Sequence, residues 1–181
     1  MTPAHIPSYS YEPAYSFWYS YHQNVTAENV EAECRRAKEL GFDVCIIDDG
    51  WQTDDRNRGY AFCGDWKPSS AKIPNMKTHV DAVHKIGMKY VLWYSVPFMG
   101  YKSEHYDEFC DMILRDDAAN QAGILDPRYK KVRDFLINIY KTAMLSWKLD
   151  GFKLDFIDVW CNSENNKPYE HNMDIAVLQD A

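Results

Sequence analysis

The apolar positions of this chain fall into short continuous runs, separated by stretches in which they recur every three or four residues. Tyr15 to Tyr21 (YSFWYSY) is an aromatic run of strand type. Ala27, Val30, Cys34 and Ala37 then repeat at helical spacing. Thr26 is placed to cap that helix, Glu28 lies in its first turn and Gly41 follows as its stop. Val44 to Ile47 predicts a buried strand ending in Asp48-Asp49-Gly50-Trp51. A polar loop follows, to about Pro74, of a length that is usually functional. A second helix is predicted over Met76 to Ile86, with Val80 and Val83 inward and Gly87 as the stop. Met88 to Val96 (MKYVLWYSV) is the third strand, closed by Pro97. An irregular stretch with a short helix over Glu104 to Leu114 leads to Asp126-Pro127-Arg128, which reads as a helix start. Val132, Phe135, Leu136, Ile139, Ala143 and Trp147 mark one face of the long helix after it. Asp150-Gly151 turns the chain into a fourth strand, Phe152 to Ile157. The tail beyond Asp158 reads as loop, with a helix start near His171.

Four strands separated by helices predict an α/β fold with parallel pairing and right-handed crossovers. The strands are apolar almost throughout, as in a sheet buried on both faces. A doubly wound sheet and a barrel both fit this order. A doubly wound nucleotide binder usually carries a glycine-rich turn after its first strand. Here that turn reads His22-Gln23-Asn24-Val25. A barrel places its working residues at the C-terminal ends of its strands, which is where the unusual polar and aromatic residues lie. The expectation is a partial (β/α)₈ TIM barrel, about the first four βα units, over residues 15–181, with residues 1–14 as an N-terminal extension. A closed barrel takes about 200 residues or more, so 181 residues fall short of one.

Composition narrows the partners. The net charge of −7, with no basic block, argues against nucleic acid, whose binding needs clustered Lys and Arg. The longest apolar stretch, Tyr90 to Met99, is too short to span a bilayer and contains Pro97, so no membrane partner is expected. Met1 to Pro13 has no secretory pattern, which predicts a cytoplasmic location. The 5 cysteines form no C-x-x-C pair, and their odd number argues against a disulfide framework. Cys34 and Cys45 read as small core residues. The 13 Tyr, 6 Trp and 8 Phe include several beside carboxylates, which suits a sugar site and equally an aromatic-rich core.

In a parallel sheet the C-terminal strand ends share one rim. That rim would gather Tyr19 and His22, then Asp48, Asp49 and Trp51, then Trp93 and Ser95, then Lys153, Asp155 and Asp158. Lys153 and Asp155 lie two apart in a strand and so face one side. A neighbouring ammonium favours the ionised carboxylate, which could attack an anomeric carbon. A structural ion pair has the same pattern. Asp48 and Asp49 reach one ligand only if the chain turns at Gly50. They read as hydroxyl binders with Trp51 as a wall, as a solvated turn, or as a metal site, although no His or further carboxylate lies at ligand spacing. Trp93 reads as core or as a platform. Asp65-Trp66, after Gly64, lie in the long loop and are harder to explain as core. His22 alone reads as structural.

The stretches Ile47-Asp48-Asp49-Gly50-Trp51-Gln52, Gly64-Asp65-Trp66, Lys72-Ile73-Pro74-Asn75-Met76-Lys77, Leu92-Trp93 and Asp150-Gly151-Phe152-Lys153-Leu154-Asp155-Phe156 together resemble glycoside hydrolase family 36, the α-galactosidase or melibiase group. The similarity runs from about Tyr15 to Asp158. The resemblance implies a (β/α)₈ barrel that hydrolyses terminal α-galactosides by double displacement, with retention and without metal or organic cofactor. It implies Asp155 as the nucleophile and Lys153 as a contact to sugar hydroxyls. Asp48 and Asp49 would bind the galactose O4 and O6 side, and Trp51 and Trp93 would wall the pocket. Asp65 and Trp66 are further candidates for substrate contact. The family's acid/base is an Asp near the end of a sixth strand, and this chain ends just after the fourth, so a fragment nearly inactive alone is expected. A non-catalytic galactoside-binding half-barrel and a galactosyl-transferring relative of raffinose-synthase type are the alternatives. The partner implied is a galactose-containing oligosaccharide, and an exposed strand edge also suggests a homo-oligomer.

Overall fold

The structure is a computed structural model that describes residues 5–55, 57, 59–161 and 163–168. Four strands form a parallel sheet in the order β1 (Ala14–Ser16), β2 (Val44–Ile47), β3 (Lys89–Ser95) and β7 (Gly151–Asp155). Helices α2 (Ala27–Glu39), α3 (Met76–Ile86) and α5 (Lys130–Trp147) cross between them. This is the curl of a barrel's first four units, and all four strands end at one rim.

Local chemistry explains the helix boundaries. Thr26 accepts from the Asn29 backbone N–H, and the Asn29 side chain accepts from the Thr26 N–H, so the capping box is closed by Asn29. Asn75 caps α3 by accepting from the Thr78 N–H. Val80 and Val83 are fully buried, and Gly87 ends α3 in the left-handed region at φ 91°. Cys34 and Cys45 are buried in the core, and all five cysteines are free thiols.

Three expectations need correction. The aromatic run Tyr15 to Tyr21 stays extended only through Ser16, then turns into helix α1 (Trp18–Tyr21). The Phe17 N–H bonds to the Ile46 carbonyl, after which Phe17 enters the helical region. As a result Tyr19 is exposed, and Trp18 takes the rim position. The stretch after Pro97 is largely a second sheet, antiparallel, in the order β4 (Phe98–Gly100), β6 (Ala122–Leu125), β5 (Ile113–Asp117), with the short α4 (Tyr106–Phe109) between β4 and β5. Asp126-Pro127-Arg128 does not begin α5, whose N-cap is Tyr129. Arg128 instead grips Asp126 through Nε and Nη2 at 2.7–3.0 Å in a buried pair. The helix start expected near His171 lies outside the described residues.

The antiparallel sheet braces the rim. The Tyr60 N–H reaches the Asn120 carbonyl, and the Gly100 N–H reaches Cys63, so the long loop is held against it. The segment after β7 is held too: the Lys167 N–H bonds to the Leu114 carbonyl, and the Trp160 indole N–H bonds to the Leu125 carbonyl. No helix among the described residues is long and apolar enough to cross a membrane.

At the opposite end Asp150 ties three segments together. Its carboxylate accepts from the Tyr90 N–H at 2.9 Å, from His84 at 2.7 Å and from Lys89 at 3.0 Å. Its carbonyl accepts from the Tyr9 hydroxyl at 2.8 Å, which ties the segment before β1 to the start of β7. Burial raises the Asp150 pKa, but the bonds from Tyr90, Lys89 and His84 outweigh it and hold the pKa below the usual range. A depressed carboxylate stabilises the fold above its unfolded-state pKa, and that contribution fades as pH falls through the folded value. Asp150→Ala is therefore expected to cost about 2–3 kcal/mol at neutral pH. The deficit should shrink on acidification, as urea unfolding at the two conditions would read.

Candidate functional site

Asp155 ends β7, and its neighbour in register on β3 is Ser95, with Trp93 paired to Lys153. The period of two along the strand brings Trp93, Lys153 and Asp155 to one face. The Trp93 indole N–H donates to Asp155 Oδ2 at 2.9 Å, and Lys153 Nζ lies 3.1 Å from the same oxygen. The Phe156 N–H donates to Asp155 Oδ1 at 3.0 Å. That bond comes with a left-handed backbone at Phe156, φ 61°, which is uncommon for a bulky residue. Burial pushes the Asp155 pKa up, yet the Trp93 and Lys153 bonds prevail and hold it below the ordinary carboxylate range. The group is thus kept ionised while its side chain stays 35% exposed.

Lys153 spans two strands. Its Nζ donates to Asp48 Oδ2 at 2.7 Å, linking the ends of β2 and β7. Burial opposes its charge, and the two carboxylates raise its pKa regardless. Asp48 also accepts from the Asp49 N–H at 2.9 Å. Asp49 accepts from Gln23 at 2.6 Å and Gln52 at 2.7 Å. Burial raises the Asp49 pKa despite these bonds.

The chain does turn at Gly50, with φ 107°. Lys72, buried, fixes that turn by donating to the Gly50 carbonyl at 2.7 Å and the Gln23 carbonyl at 2.8 Å. Asp48, Asp49, Lys153 and Asp155 thereby line one cleft of about 150 Å³, walled by Trp93 and closed by Trp18, Tyr60 and Phe156.

Asp48, Asp49, Trp93, Lys153 and Asp155 therefore converge as expected. Trp51 does not line the cleft. It is fully buried behind it, with its indole N–H donating to the Trp93 carbonyl at 2.9 Å, where it supports the wall from the rear. Asp65 accepts from the Ser103 hydroxyl at 2.6 Å and the Glu104 N–H at 3.0 Å. Trp66 is buried and packs on Trp51 and Tyr94. Both face a separate, more apolar crevice of about 320 Å³ between the loop and α5, bordered also by Ile139 and Trp147. His22 stacks edge-on with Trp18 and Asp158 lies past the bend at Phe156, so neither enters the cleft. Among the described residues no three His, Cys, Asp or Glu side chains gather as metal ligands would.

The residues that sequence reasoning missed are Trp18, Tyr60 and Phe156 on the walls and Gln23, Gln52 and Lys72 behind the acid pair. Lys72 sat in a stretch noted only for its resemblance. Nothing in the loop's polar pattern singles out Tyr60, whose place depends on the antiparallel sheet.

The architecture is the first part of a (β/α)₈ barrel with its ionisable groups at the strand C-terminal ends. A family profile described as Melibiase matches residues 15–177, and the chain belongs to that family. It is 29% identical over 164 residues to the α-galactosidase Mel36A of Lactobacillus acidophilus, covering 86% of this chain and 21% of that protein. It is 26% identical over 188 residues to the A type blood α-D-galactosamine galactosaminidase of Flavonifractor plautii, covering 94% of this chain and 16% of that one. Among solved structures, a complex of the α-galactosidase AgaA of Geobacillus stearothermophilus with raffinose superposes with a TM-score of 0.73 at 23% identity, covering 79% of this chain and 21% of that one. The chain thus spans about a fifth of the length of these α-galactosidases.

Proposed function

We propose that this chain carries the nucleophile and the sugar-gripping acids of a retaining α-galactosidase. Asp155 attacks the anomeric carbon of a terminal α-galactoside. The C1–O bond to the leaving group breaks as the Asp155–C1 bond forms, and water later cleaves the galactosyl ester. Lys153 helps keep Asp155 ionised and orients both Asp155 and Asp48. Asp48 and Asp49 accept hydrogen bonds from the sugar's O4 and O6 hydroxyls, and Trp93 covers a C–H face. Protonation of the leaving group falls, by family resemblance, to an Asp that follows a sixth strand, outside the four units described here. The substrate class is a galactose-containing oligosaccharide.

The supporting observation is the Asp155 carboxylate, held ionised by the Trp93 and Lys153 donors, partly exposed, and joined to Asp48 through one ammonium. A fluorinated galactosyl trap with a good leaving group needs no acid catalyst. Incubated with this chain, it is expected to add one galactosyl group, mapped by peptide mass spectrometry to Asp155. Labelling at another residue, or none, would overturn the proposal.

A further inference from the structure

We infer that Tyr60 is a specificity-determining residue, its hydroxyl donating a hydrogen bond to one hydroxyl oxygen of the sugar bound over Asp155. This rests on the galactoside reading above and adds a contact to it.

Three features of the cleft lead there. The first is a shortage of donors. Asp48, Asp49 and Asp155 only accept, so sugar hydroxyls that donate to them still present oxygen lone pairs to be satisfied. Lys153 directs two of its three N–H groups to Asp48 at 2.7 Å and Asp155 at 3.1 Å, leaving one, and the Trp93 N–H is committed to Asp155 at 2.9 Å. Tyr60 lines the same cleft, and its hydroxyl makes no hydrogen bond among the described residues. Burial foremost, and then the charge of Asp49, with Asp155 and Asp48 adding to it, push its pKa up, so it stays an O–H donor throughout the neutral range.

The second feature is that ring packing accounts for an aromatic residue here but not for a phenol. The Tyr60 ring stacks on Phe98 with centroids 4.9 Å apart and meets Phe156 edge-on at 5.2 Å. A phenylalanine would make those contacts equally well. The hydroxyl needs a separate reason, and the cleft supplies one.

The third is that the loop is not free to carry Tyr60 away. The Tyr60 N–H bonds to the Asn120 carbonyl at 3.0 Å, the Lys102 N–H to Ala61 at 2.8 Å and the Gly100 N–H to Cys63 at 2.8 Å. Gly100 lets β4 and the loop approach so closely that a Cβ there would stand 2.2 Å from the Ala61 oxygen and 2.4 Å from the Tyr60 oxygen. The antiparallel sheet therefore presents the phenol at a fixed point, as specificity requires.

The test is calorimetric titration of the chain with methyl α-galactoside, comparing wild type, Tyr60→Phe and Tyr60→Ala, with circular dichroism confirming the fold. Loss of one such bond should weaken binding by about 3–10-fold in Tyr60→Phe. Monodeoxy galactosides then locate the contact: one of them is expected to bind wild type and Tyr60→Phe equally. Wild-type affinity in Tyr60→Phe would overturn the inference even if Tyr60→Ala binds poorly, because only packing would then be at stake. A Tyr60→Phe deficit that persists undiminished through every deoxy analogue would also overturn it. No galactoside binding by wild type would remove the galactoside reading itself, and this inference with it.

Discussion

Asp155→Asn is expected to abolish covalent capture of a fluorinated galactosyl trap, with a fall in labelling rate on the order of 10³-fold or more, as for removal of other catalytic nucleophiles. The amide keeps the shape of the side chain, and its one carbonyl oxygen can accept from either the Trp93 indole N–H or the Phe156 N–H, so the fold should persist with one of these bonds lost. What disappears is the charge. Lys153 then faces an amide on one side and only Asp48 on the other. Because Asp155 is held below the ordinary carboxylate range, wild-type labelling should stay nearly flat with pH down to mildly acidic conditions. Binding of methyl α-galactoside should fall far less than labelling, since Asp48 and Asp49 remain. A variant that labels at the wild-type rate would move the nucleophile elsewhere on the rim. Equal losses of binding and labelling would point to a role in recognition alone, the non-catalytic half-barrel.

How much of this was written in the chain depends on range. Thr26, Asn75 and Gly87 act within a few residues of themselves, and the helices they bound end where capping chemistry places them. Parallel pairing followed from alternation of strand and helix. It carried Asp48, Lys153 and Asp155 to one rim without any knowledge of contacts. The failures have a different character. Trp51 and Trp93 are both tryptophans next to the rim, and no local pattern tells which one faces the cleft. The answer lies in packing: Trp51 meets Trp66, Tyr94 and Trp147 on the helix side of the sheet, whereas Trp93 turns its N–H to Asp155. Asp65 and Trp66 were conspicuous in a surface loop, but their partners, Ser103, Glu104 and Tyr94, come from segments that read as irregular or as another strand.

The antiparallel sheet was hidden for a related reason. β4 is Phe98–Gly100, just past Pro97, and β5 carries Arg115, Asp116 and Asp117, so neither alternates cleanly. A bulge between Ile113 and Arg115 breaks the period further. Its contribution is nonetheless central, because it anchors both the Tyr60 loop and the segment after Asp155. The barrel strands supply the acids and Trp93, and this inserted sheet, through Phe98, backs the walls Tyr60 and Phe156.

Gly50→Ala should test whether the acid pair depends on the turn behind it. Gly50 has φ 107°, a conformation that side chains rarely adopt, and a Cβ there would lie 2.5 Å from Gln23 Cα and 2.9 Å from the Gln23 oxygen. Strain and overpacking together predict a loss of about 3–5 kcal/mol, a large part of the stability of an ordinary domain. Gly41→Ala is the control: its φ is 91°, but nothing lies within 4 Å, so strain alone should cost about 1–2 kcal/mol. The difference between the two, read by urea unfolding, isolates the collision with Gln23. The functional effect follows the same path. Gln23 donates to Asp49 at 2.6 Å, and Lys72 holds the Gly50 and Gln23 carbonyls at 2.7 and 2.8 Å. Pushing Gln23 aside removes a donor from Asp49, whose pKa burial already raises, and should raise it further. Gly50→Ala that still folds should therefore bind galactoside more weakly, and most of all at mildly acidic pH. Binding and stability equal to those of Gly41→Ala would mean that Gln23 yields freely and that Asp49 is positioned by Gln52 alone.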